Sequence, residues 1–418
     1  MYDAIIVGAR CAGSPTAMLL ARKGYRVLLL DRSTFPSDIL STHYIQPPGI
    51  ERLKRWGLLA RVAASNCPPV GKGKFDVGPI VLEGSPPPAN DSAEAYCPRR
   101  TVLDNILVKA AVEAGAELRE GYAVQEVLSE YGRVTGIRGR DSRGAVSEEQ
   151  ARIVIGADGM HSMVAHSVHA PSYNEVPSLT CGYYSYWSGI PWEGFELYSR
   201  EGRAIILVPT NDDQVCLAVQ WPHSEFEAFR ADIEGNFLRT LELAPDLAER
   251  VRDGRREARF VGTADMPNFY RRPYGPGWAL VGDAGYHKDP HTGQGITDAF
   301  RDAELLSDAI DEGFTDREPL NEALAQYERR RNDATMAMYD FTCKLASLEP
   351  PAPEMQQLFA ALQGNQMETN RFFGAIAGTV PVQEFFAEEN IGRIIAEAGL
   401  GEPTSIPATS TEMAAARS

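Results

Sequence analysis

The chain has 418 residues, more than one hydrophobic core usually serves, so two or more domains are expected. Hydrophobic residues at 44% and charged residues at 23% are close to the averages of globular proteins, which excludes a disordered or fibrous class. The net charge of -16 would repel phosphate backbones and anionic bilayers, which makes nucleic acid and membrane surfaces poor partners.

The cysteine pattern and the start of the chain indicate the cellular compartment and the kinds of site to expect. Six cysteines occur without any CxxC pair, which argues against a zinc site, a redox dithiol or a disulfide framework. Met1 leads into an apolar strand without the basic segment of a signal peptide, and no apolar run reaches the roughly 20 residues that span a bilayer. We therefore expect a cytoplasmic protein with no metal site and no stable membrane association.

The first 31 residues have the pattern of a βαβ unit, with a strand at 4–7, a loop at 8–13, a helix at 16–23 and a strand at 27–30. In a dinucleotide-binding turn, glycines permit the bend, the approach of the pyrophosphate and the packing of helix on strand. The helix that follows points its N-terminal dipole at the phosphates. The unit predicts a set of cofactor-binding residues, in which Asp31 would accept a ribose hydroxyl: Gly8, Arg10, Cys11, Ala12, Gly13, Asp31 and Arg32.

Arg10 occupies the place of the middle glycine of this turn. Either the loop lies further from the pyrophosphate, or the guanidinium itself contacts a phosphate. We favour the second interpretation.

Later segments alternate between helical and strand patterns. A helix is predicted at 49–60, a Pro- and Gly-rich break at 68–88, a helix at 100–114 and a strand at 153–155, then aromatic and β-branched runs typical of an antiparallel sheet between 175 and 222, a buried strand at 278–281, a helix at 296–310 and a polar helical tail at 320–400.

These elements predict an α/β fold with a Rossmann-like parallel sheet, interleaved with an antiparallel-sheet substrate domain and followed by C-terminal helices. The cofactor domain would comprise 1–66, 99–170 and 269–320, the substrate domain 67–98 and 171–268, and the helical region 321–418.

Two further segments distinguish the cofactor. One is Gly-Ala-Asp-Gly-Met-His-Ser at 156–162, and the other is Gly-Asp-Ala-Gly-Tyr-His-Lys-Asp-Pro-His-Thr-Gly-Gln-Gly at 282–295. In order and spacing, these segments and the 8–13 loop resemble the three fingerprints of the flavoprotein monooxygenases with the p-hydroxybenzoate hydroxylase fold. The resemblance extends to about residue 310.

The resemblance implies FAD as cofactor and NADH or NADPH as reductant. In this family the reduced ring captures O2 as a C4a-hydroperoxide and delivers one oxygen to a small organic substrate, here expected to be aromatic or polyketide-like. The expected partners are therefore that substrate and O2, in a monomer or homodimer.

The resemblance also implies roles for individual residues. Asp283 would bind the ribityl chain, and Arg100 would lie against the phosphate and ribityl region. The segment from Pro290 would run beside the flavin ring, with the following helix directed at N1 and the C2 carbonyl. The cofactor-binding residues implied beyond the first unit are Arg100, Asp158, Gly159, Gly282, Asp283, Pro290, Gly293, Gln294, Gly295 and Ile296.

Four residues are candidates for catalysis. Strand alternation places Tyr184 and Tyr186 on one face of the predicted substrate sheet, with Tyr183 and Trp187 on the other. The Ser41-Thr42-His43 segment matches the part of the family that passes near the flavin ring, and a histidine there or in the 282–295 segment can titrate. The catalytic candidates are His43, Tyr184, Tyr186 and His291.

The family pattern is not complete. Ala165 stands where the family often has an arginine, and Tyr286 stands where it commonly has a histidine. Inferences from these two positions about nicotinamide handling or catalysis are therefore not carried over.

Other functions remain as alternatives. Geranylgeranyl reductases carry similar motifs, so reduction of a carbon-carbon double bond is the second interpretation. Flavin-dependent halogenases carry WxWxIP, whereas Trp187 is out of register with Ile190-Pro191. A carrier resembling GDP-dissociation inhibitors is disfavoured by the three motif aspartates, and a plain NAD dehydrogenase leaves the 282–295 segment unexplained.

Overall fold

The computed structural model describes residues 1–41 and 43–400. Thr42, in the segment predicted to pass near the flavin ring, and residues 401–418 of the predicted helical region lie outside the described residues.

Strands dominate the first two thirds of the chain, and helices dominate the last third. The strands are β1 (Tyr2–Val7), β2 (Val27–Leu30), β3 (Pro69–Val70), β4 (Gly73–Asp76), β5 (Val81–Gly84), β6 (Ala95–Tyr96), β7 (Glu117–Arg119), β8 (Ala123–Glu130), β9 (Arg133–Arg140), β10 (Val146–Gly156), β11 (Ser172–Val176), β12 (Thr180–Ser188), β13 (Phe195–Arg200), β14 (Arg203–Thr210), β15 (Gln214–Pro222), β16 (Arg255–Arg256), β17 (Val261–Thr263), β18 (Asn268–Arg271), β19 (Tyr274–Gly275), β20 (Trp278–Leu280) and β21 (Tyr286–His287). The α-helices are α1 (Gly13–Arg22), α2 (Pro47–Arg55), α3 (Leu59–Ala63), α4 (Arg100–Glu113), α5 (Met163–Ser167), α6 (Phe226–Ala231), α7 (Ile233–Leu241), α8 (Pro245–Arg252), α9 (Gly295–Phe314), α10 (Leu320–Ala346), α11 (Pro353–Leu362), α12 (Gln366–Ala377), α13 (Val382–Phe385) and α14 (Glu388–Glu397).

The first sheet is mainly parallel and runs in the order β19-β20-β10-β1-β2-β7, with the β8–β9 hairpin joined to β10. Its central strands are continuous apolar runs, as expected for a parallel sheet that is buried on both faces. Ile5 and Ile6 on β1 are fully buried and belong to the cores on opposite faces. The predicted α/β fold with a parallel cofactor sheet is confirmed.

The second sheet runs in the order β16-β12-β15-β14-β13-β4-β5, with β17 also paired to β12. Strands β12, β15 and β14 are antiparallel neighbours. Tyr183 and Trp187 pack in a core that includes α6–α8, whereas Tyr184 and Tyr186 lie in a separate cluster with Cys216. The predicted alternation of these aromatic side chains is therefore confirmed.

The C-terminal helices cover part of the second sheet. Side chains of α11–α14 share one core with Leu197, Ile206 and Val208 of the sheet. Phe372 of α12 lies 5.5 Å, centroid to centroid, from the ring of Phe75 on β4. Helices α11–α14 therefore cover one face of the second sheet, and we call them the roof helices.

The predicted helix at 49–60 is instead two helices, α2 and α3. Gly57 between them has φ of +79°, a left-handed conformation that ends an α-helix. Within the two described stretches, 1–41 and 43–400, no helix is both long enough and apolar enough to cross a bilayer.

Candidate cofactor and active site

The loop between β1 and α1 is built for close backbone approach. Gly8 has φ of +104°, and a Cβ on Gly13 would lie 1.8 Å from the Gly8 carbonyl oxygen. Asp31 Oδ2 accepts a hydrogen bond of 2.8 Å from the Ala9 N–H, so the end of β2 fixes the loop. The backbone of this loop can approach a pyrophosphate because neither glycine carries a side chain.

Arg10 does not extend freely from this loop. Its Nη1 lies 2.7 Å from Asp104 Oδ2, and its Nη2 donates to Ser37 Oγ over 2.9 Å. Arg100 Nε donates to the other oxygen of Asp104 over 3.0 Å, and Cys11 Sγ lies 3.4 Å from that oxygen. A fully buried carboxylate on α4 thus holds two arginines beside the glycine loop.

Replacing Arg10 tests whether its charge supports cofactor binding. We expect Arg10→Gly to weaken FAD affinity several-fold, because it removes one cation from the loop, and Arg10→Lys to retain most of the affinity. Titration of the apoprotein with FAD, followed by fluorescence quenching, measures both. Equal affinities of the glycine variant and the unmodified protein would mean that Arg10 is merely tolerated.

Asp283 lies close to Arg100 and Cys11. Gly282 before it has φ of +62°, and a Cβ there would lie 2.6 Å from Cβ of Ala12. Burial has the largest effect on both pKa values, lowering that of Arg100 and raising that of Cys11. The negative charge of Asp283 raises the pKa of both groups. Asp283 is exposed and lies near Arg100 and Cys11 at the glycine loop.

The 290–295 segment forms a second glycine turn. A 3-10 turn at Pro290–Thr292 ends at Gly293, whose φ is +63°, and Gly295 opens α9 with open space beside it. Ile296 is buried in the core beneath. Gln294 Nε2 donates to the Ile376 carbonyl over 2.7 Å and so joins this segment to α12, one of the roof helices.

Three further predicted cofactor residues, Asp158, Gly159 and Arg32, lie outside the 8–13 loop and the 290–295 segment. Asp158 accepts hydrogen bonds from Ser162 Oγ and from the backbone N–H groups of Met163 and Val164, which caps α5. Gly159 has φ of +83°, and Arg32 is exposed at the end of β2. Contact of these three residues with FAD stays a prediction.

A hydrogen bond between His43 and Tyr186 connects the loop after β2 with strand β12 of the second sheet. His43 Nε2 and the Tyr186 hydroxyl are hydrogen-bonded, and their ring planes differ by 13°. Tyr184 lies edge-on to His43 at 5.7 Å. Three of the four predicted catalytic residues are therefore brought together.

Two features set His43 apart from an ordinary core histidine. Its φ of 59° is left-handed, which is uncommon outside glycine, and such strain is characteristic of functional sites. Its Nδ1 is buried without a hydrogen-bond partner among residues 1–41 and 43–400. A buried polar atom without a partner is costly unless a ligand supplies one.

Burial, together with the nearby charges of Arg100 and Arg99, lowers the pKa of His43 to about 3. The imidazole is therefore neutral at physiological pH. Arg99 also places its guanidinium carbon 4.4 Å from the Tyr186 ring centroid. Its Nε is buried and has no partner within the described part of the chain.

His291 is held apart from this cluster by a different network. Its Nδ1 lies 2.8 Å from Gln220 Oε1, and because an amide oxygen only accepts, Nδ1 carries the proton. Asp289 accepts from the His291 backbone N–H and from Thr180 Oγ1, which ties the segment to β12. Burial lowers the pKa of His291 to about 4, so the neutral ring has Nε2 as an acceptor.

These depressed pKa values predict acid sensitivity. Both histidines have folded-state pKa values of about 3 and 4, below the ordinary 6.5, so stability is complete above pH 6.5 and is lost as pH falls toward 4. Each contributes a slope of up to about 1.4 kcal/mol per pH unit. Urea unfolding from pH 7 to 4.5 should show a shallower loss for His291→Gln, and an unchanged slope would contradict the depressed pKa of His291.

An apolar pocket adjoins the 290–295 segment. Tyr44, next to His43, contacts Gly293, and Gln46 Nε2 donates to the Thr292 carbonyl over 3.1 Å. The pocket lies between the start of α2, β3, β4, β13 and α12. Its apolar lining includes Tyr44, Pro47, Val70, Phe195, Phe373 and Ile376, with Gln46 and Lys72 as polar members.

Three residues that the sequence did not single out contribute to this region: Asp104, Arg99 and Gln220. Asp104 lies four residues after Arg100 on the helical face that carries Leu103 and Leu107. An acidic residue among apolar positions of a helix could have indicated a buried ion pair. Arg99 and Gln220 contact their partners only through tertiary structure, so no local pattern identifies them.

A family model described as FAD binding domain matches residues 1–342. The chain belongs to this family. It is an FAD-dependent oxidoreductase, and the cofactor, the enzyme class and the family resemblance predicted from the three motifs are confirmed.

Individual relatives of this FAD-binding chain carry different activities. Digeranylgeranylglycerophospholipid reductase 2 of Methanopyrus kandleri is 27% identical over 380 residues, covering 86% of this chain and 90% of that protein. Squalene epoxidase 2, mitochondrial, of Arabidopsis thaliana is 26% identical over 382 residues, covering 85% of this chain and 63% of that protein. The myxobacterial chondrochloren halogenase shares the fold, with a TM-score of 0.78, 21% identity and 98% of each chain covered.

The residues of the crevice fit FAD. Side chains at Gly8, Gly13 and Gly282 would collide with neighbouring backbone or with Ala12, so glycine at these positions lets the 8–13 loop pack closely against Ala157 and Gly282. The charged groups offered beside them are two arginines and the exposed Asp283, which suit a pyrophosphate and a polyol.

Proposed function

We propose that this chain is an FAD-dependent monooxygenase that uses NADH or NADPH and O2 to oxygenate a small aromatic or polyketide-like substrate. The observation that carries the proposal is the buried pair of His43 and Tyr186. It joins the segment leading to the cofactor crevice with the substrate sheet, and His43 Nδ1 is left for a ligand.

Bound FAD would supply the redox chemistry, reduction by nicotinamide and activation of O2. The protein must bind and orient the substrate and exclude water. Tyr184 and Tyr186 offer an aromatic surface beside His43, and the separate apolar pocket beside Tyr44 is lined by Phe373 and Ile376 of α12. An apolar lining of this kind suits an aromatic ring better than a charged metabolite.

Within this proposal, His43 forms a hydrogen bond through Nδ1 to an oxygen of the substrate or to the cofactor. Tyr186 orients the ring through its hydrogen bond to Nε2, and Tyr184 packs against its side. His291 Nδ1 donates to Gln220 Oε1, which leaves Nε2 as an acceptor on the 290–295 segment. Because both imidazoles are neutral, they exchange hydrogen bonds rather than charge.

For the cofactor, we propose that Gly8 to Gly13 lie against the pyrophosphate and Asp31 against a ribose. Arg100 and Asp283 would hold the phosphate and ribityl region, where they share one crevice. The residues from Pro290 to Gly295 would lie along the flavin ring. The open space at Gly295 and the direction of α9 support this arrangement.

The test is oxidation of NADH and of NADPH by the FAD-loaded protein under air, with a panel of phenols and aromatic polyketides. We expect substrate-stimulated oxidation and, with ¹⁸O2, one labelled oxygen in the product. Unstimulated oxidation that yields only peroxide, with every member of the panel returned unchanged, would contradict the monooxygenase proposal.

Reduction of an isoprenoid double bond is the second candidate. The apolar pocket and the similarity to the Methanopyrus kandleri reductase favour it. Product formed from a geranylgeranyl substrate and a reductant without oxygen, and no oxygen uptake, would establish reduction in place of oxygenation.

A further inference from the structure

Four charged side chains form a continuous buried chain behind the 290–295 segment. Lys288 Nζ is paired with Asp298 Oδ2, and Asp298 Oδ1 lies 2.6 Å from Arg301 Nη1. Arg301 Nη2 in turn lies 2.7 Å from Asp302 Oδ1. The four side chains are at most 14% exposed, so solvent screens them little.

The charges alternate along this chain, and its two ends differ in sign. Lys288 precedes the 290–295 segment and also donates to the Tyr286 hydroxyl over 2.7 Å. Asp302 lies in the second turn of α9, one turn further from the helix N-terminus than Asp298. The array is therefore a dipole with its positive end at the segment and its negative end along the helix.

This orientation is that of the helix dipole of α9. A helix N-terminus carries roughly half a positive charge, which an acid in the first turn such as Asp298 partly cancels. Lys288 and Arg301 both bond that carboxylate and compensate for its charge. Burial raises the pKa of Asp302, and its Oδ2 has no partner within residues 1–41 and 43–400.

We propose that the chain Lys288–Asp298–Arg301–Asp302 strengthens the positive potential at the N-terminus of α9 and so raises the reduction potential of bound FAD. The proposal rests on the placement of the flavin ring along the 290–295 segment. Two-electron reduction with uptake of one proton adds one negative charge to the cofactor, and a buried positive end nearby favours that change. Lys288 acts on FAD through its electrostatic potential and does not need to touch the cofactor.

The two ends of the array give variants with opposite expected effects. Lys288→Met removes the positive end and should lower the ratio of reduced to oxidised FAD about tenfold at a fixed potential, a shift of about 30 mV to more negative values. Asp302→Asn removes the negative end without changing its shape and should shift the potential in the positive direction. Lys288→Met with Asp302→Asn should return it toward that of the unmodified protein.

The measurement is anaerobic reduction of the FAD-loaded protein in equilibrium with a reference dye, without substrate. General loosening of the site would shift both single variants in the same direction, which would overturn the proposal, as would unchanged potentials. If Lys288→Met does not retain FAD, the direction in which Asp302→Asn shifts the reduction potential decides whether the proposal holds. Absence of oxygenase activity would leave this measurement unaffected, so the two proposals fail separately.

Discussion

His43→Asn is expected to lower substrate-dependent NAD(P)H oxidation by roughly 100-fold to 1,000-fold, the range for loss of one preorganised hydrogen bond to the reacting groups. The substitution removes the imidazole that pairs with Tyr186 and presents Nδ1. Asparagine tolerates the left-handed φ of 59° at this position, so the backbone should not change. FAD content should stay near that of the unmodified protein.

His169→Asn is the matched control, because His169 also has a left-handed φ, of 50°, but is exposed at the surface. Steady-state rates at saturating reductant, with flavin absorbance as the measure of cofactor content, compare the two variants. Tyr186→Phe should show a smaller loss, since it removes only the hydroxyl that orients the ring. Equal rates for His43→Asn and His169→Asn would remove His43 from the proposed mechanism.

Asp104→Asn is expected to lower the free energy of unfolding by about 3–5 kcal/mol, the cost of breaking a buried ion pair by removing one partner. The fully buried Asp104 accepts from both Arg10 and Arg100, and a neutral amide cannot compensate their charges. FAD binding should fall as well, because both arginines lose their positions beside the glycine loop.

Urea unfolding of the apoprotein and FAD titration measure the two effects of Asp104→Asn separately. Asp308→Asn is the control, because Asp308 pairs with Lys23 over 3.2 Å at a site where its side chain is 53% exposed, and exposed pairs contribute at most about 1 kcal/mol. A loss for Asp104→Asn no larger than that of the control would show that the carboxylate is not central to the crevice.

The sequence predicted the cofactor loop well because its geometry is local. Gly8, Gly13 and Asp31 lie within one βαβ unit, whose strand, turn and helix each have a recognisable pattern. The alternation of Tyr184 and Tyr186 was equally predictable, since the period of a strand is two. The split of the predicted helix at 49–60 was missed because one glycine, Gly57, was not taken as a helix end.

The contacts that connect distant segments could not be predicted. Arg10 and Asp104 are 94 residues apart, and His43 and Tyr186 are 143 apart, so no spacing relates them. The apolar faces of α11–α14 indicate that these helices pack on something, but they do not indicate which surface. Only the fold places Phe373 and Ile376 beside the pocket.

The hydrogen bond from Gln294 to the Ile376 carbonyl joins the 290–295 segment to α12, and α12 also lines the pocket. With the flavin ring along this segment, as proposed, a compound that fills the pocket and tightens α12 is expected to change the affinity for FAD, and because coupling is reciprocal, FAD changes the affinity for that compound by the same factor. Compounds that fit this pocket can therefore be found without any turnover assay, from their effect on the retention of FAD.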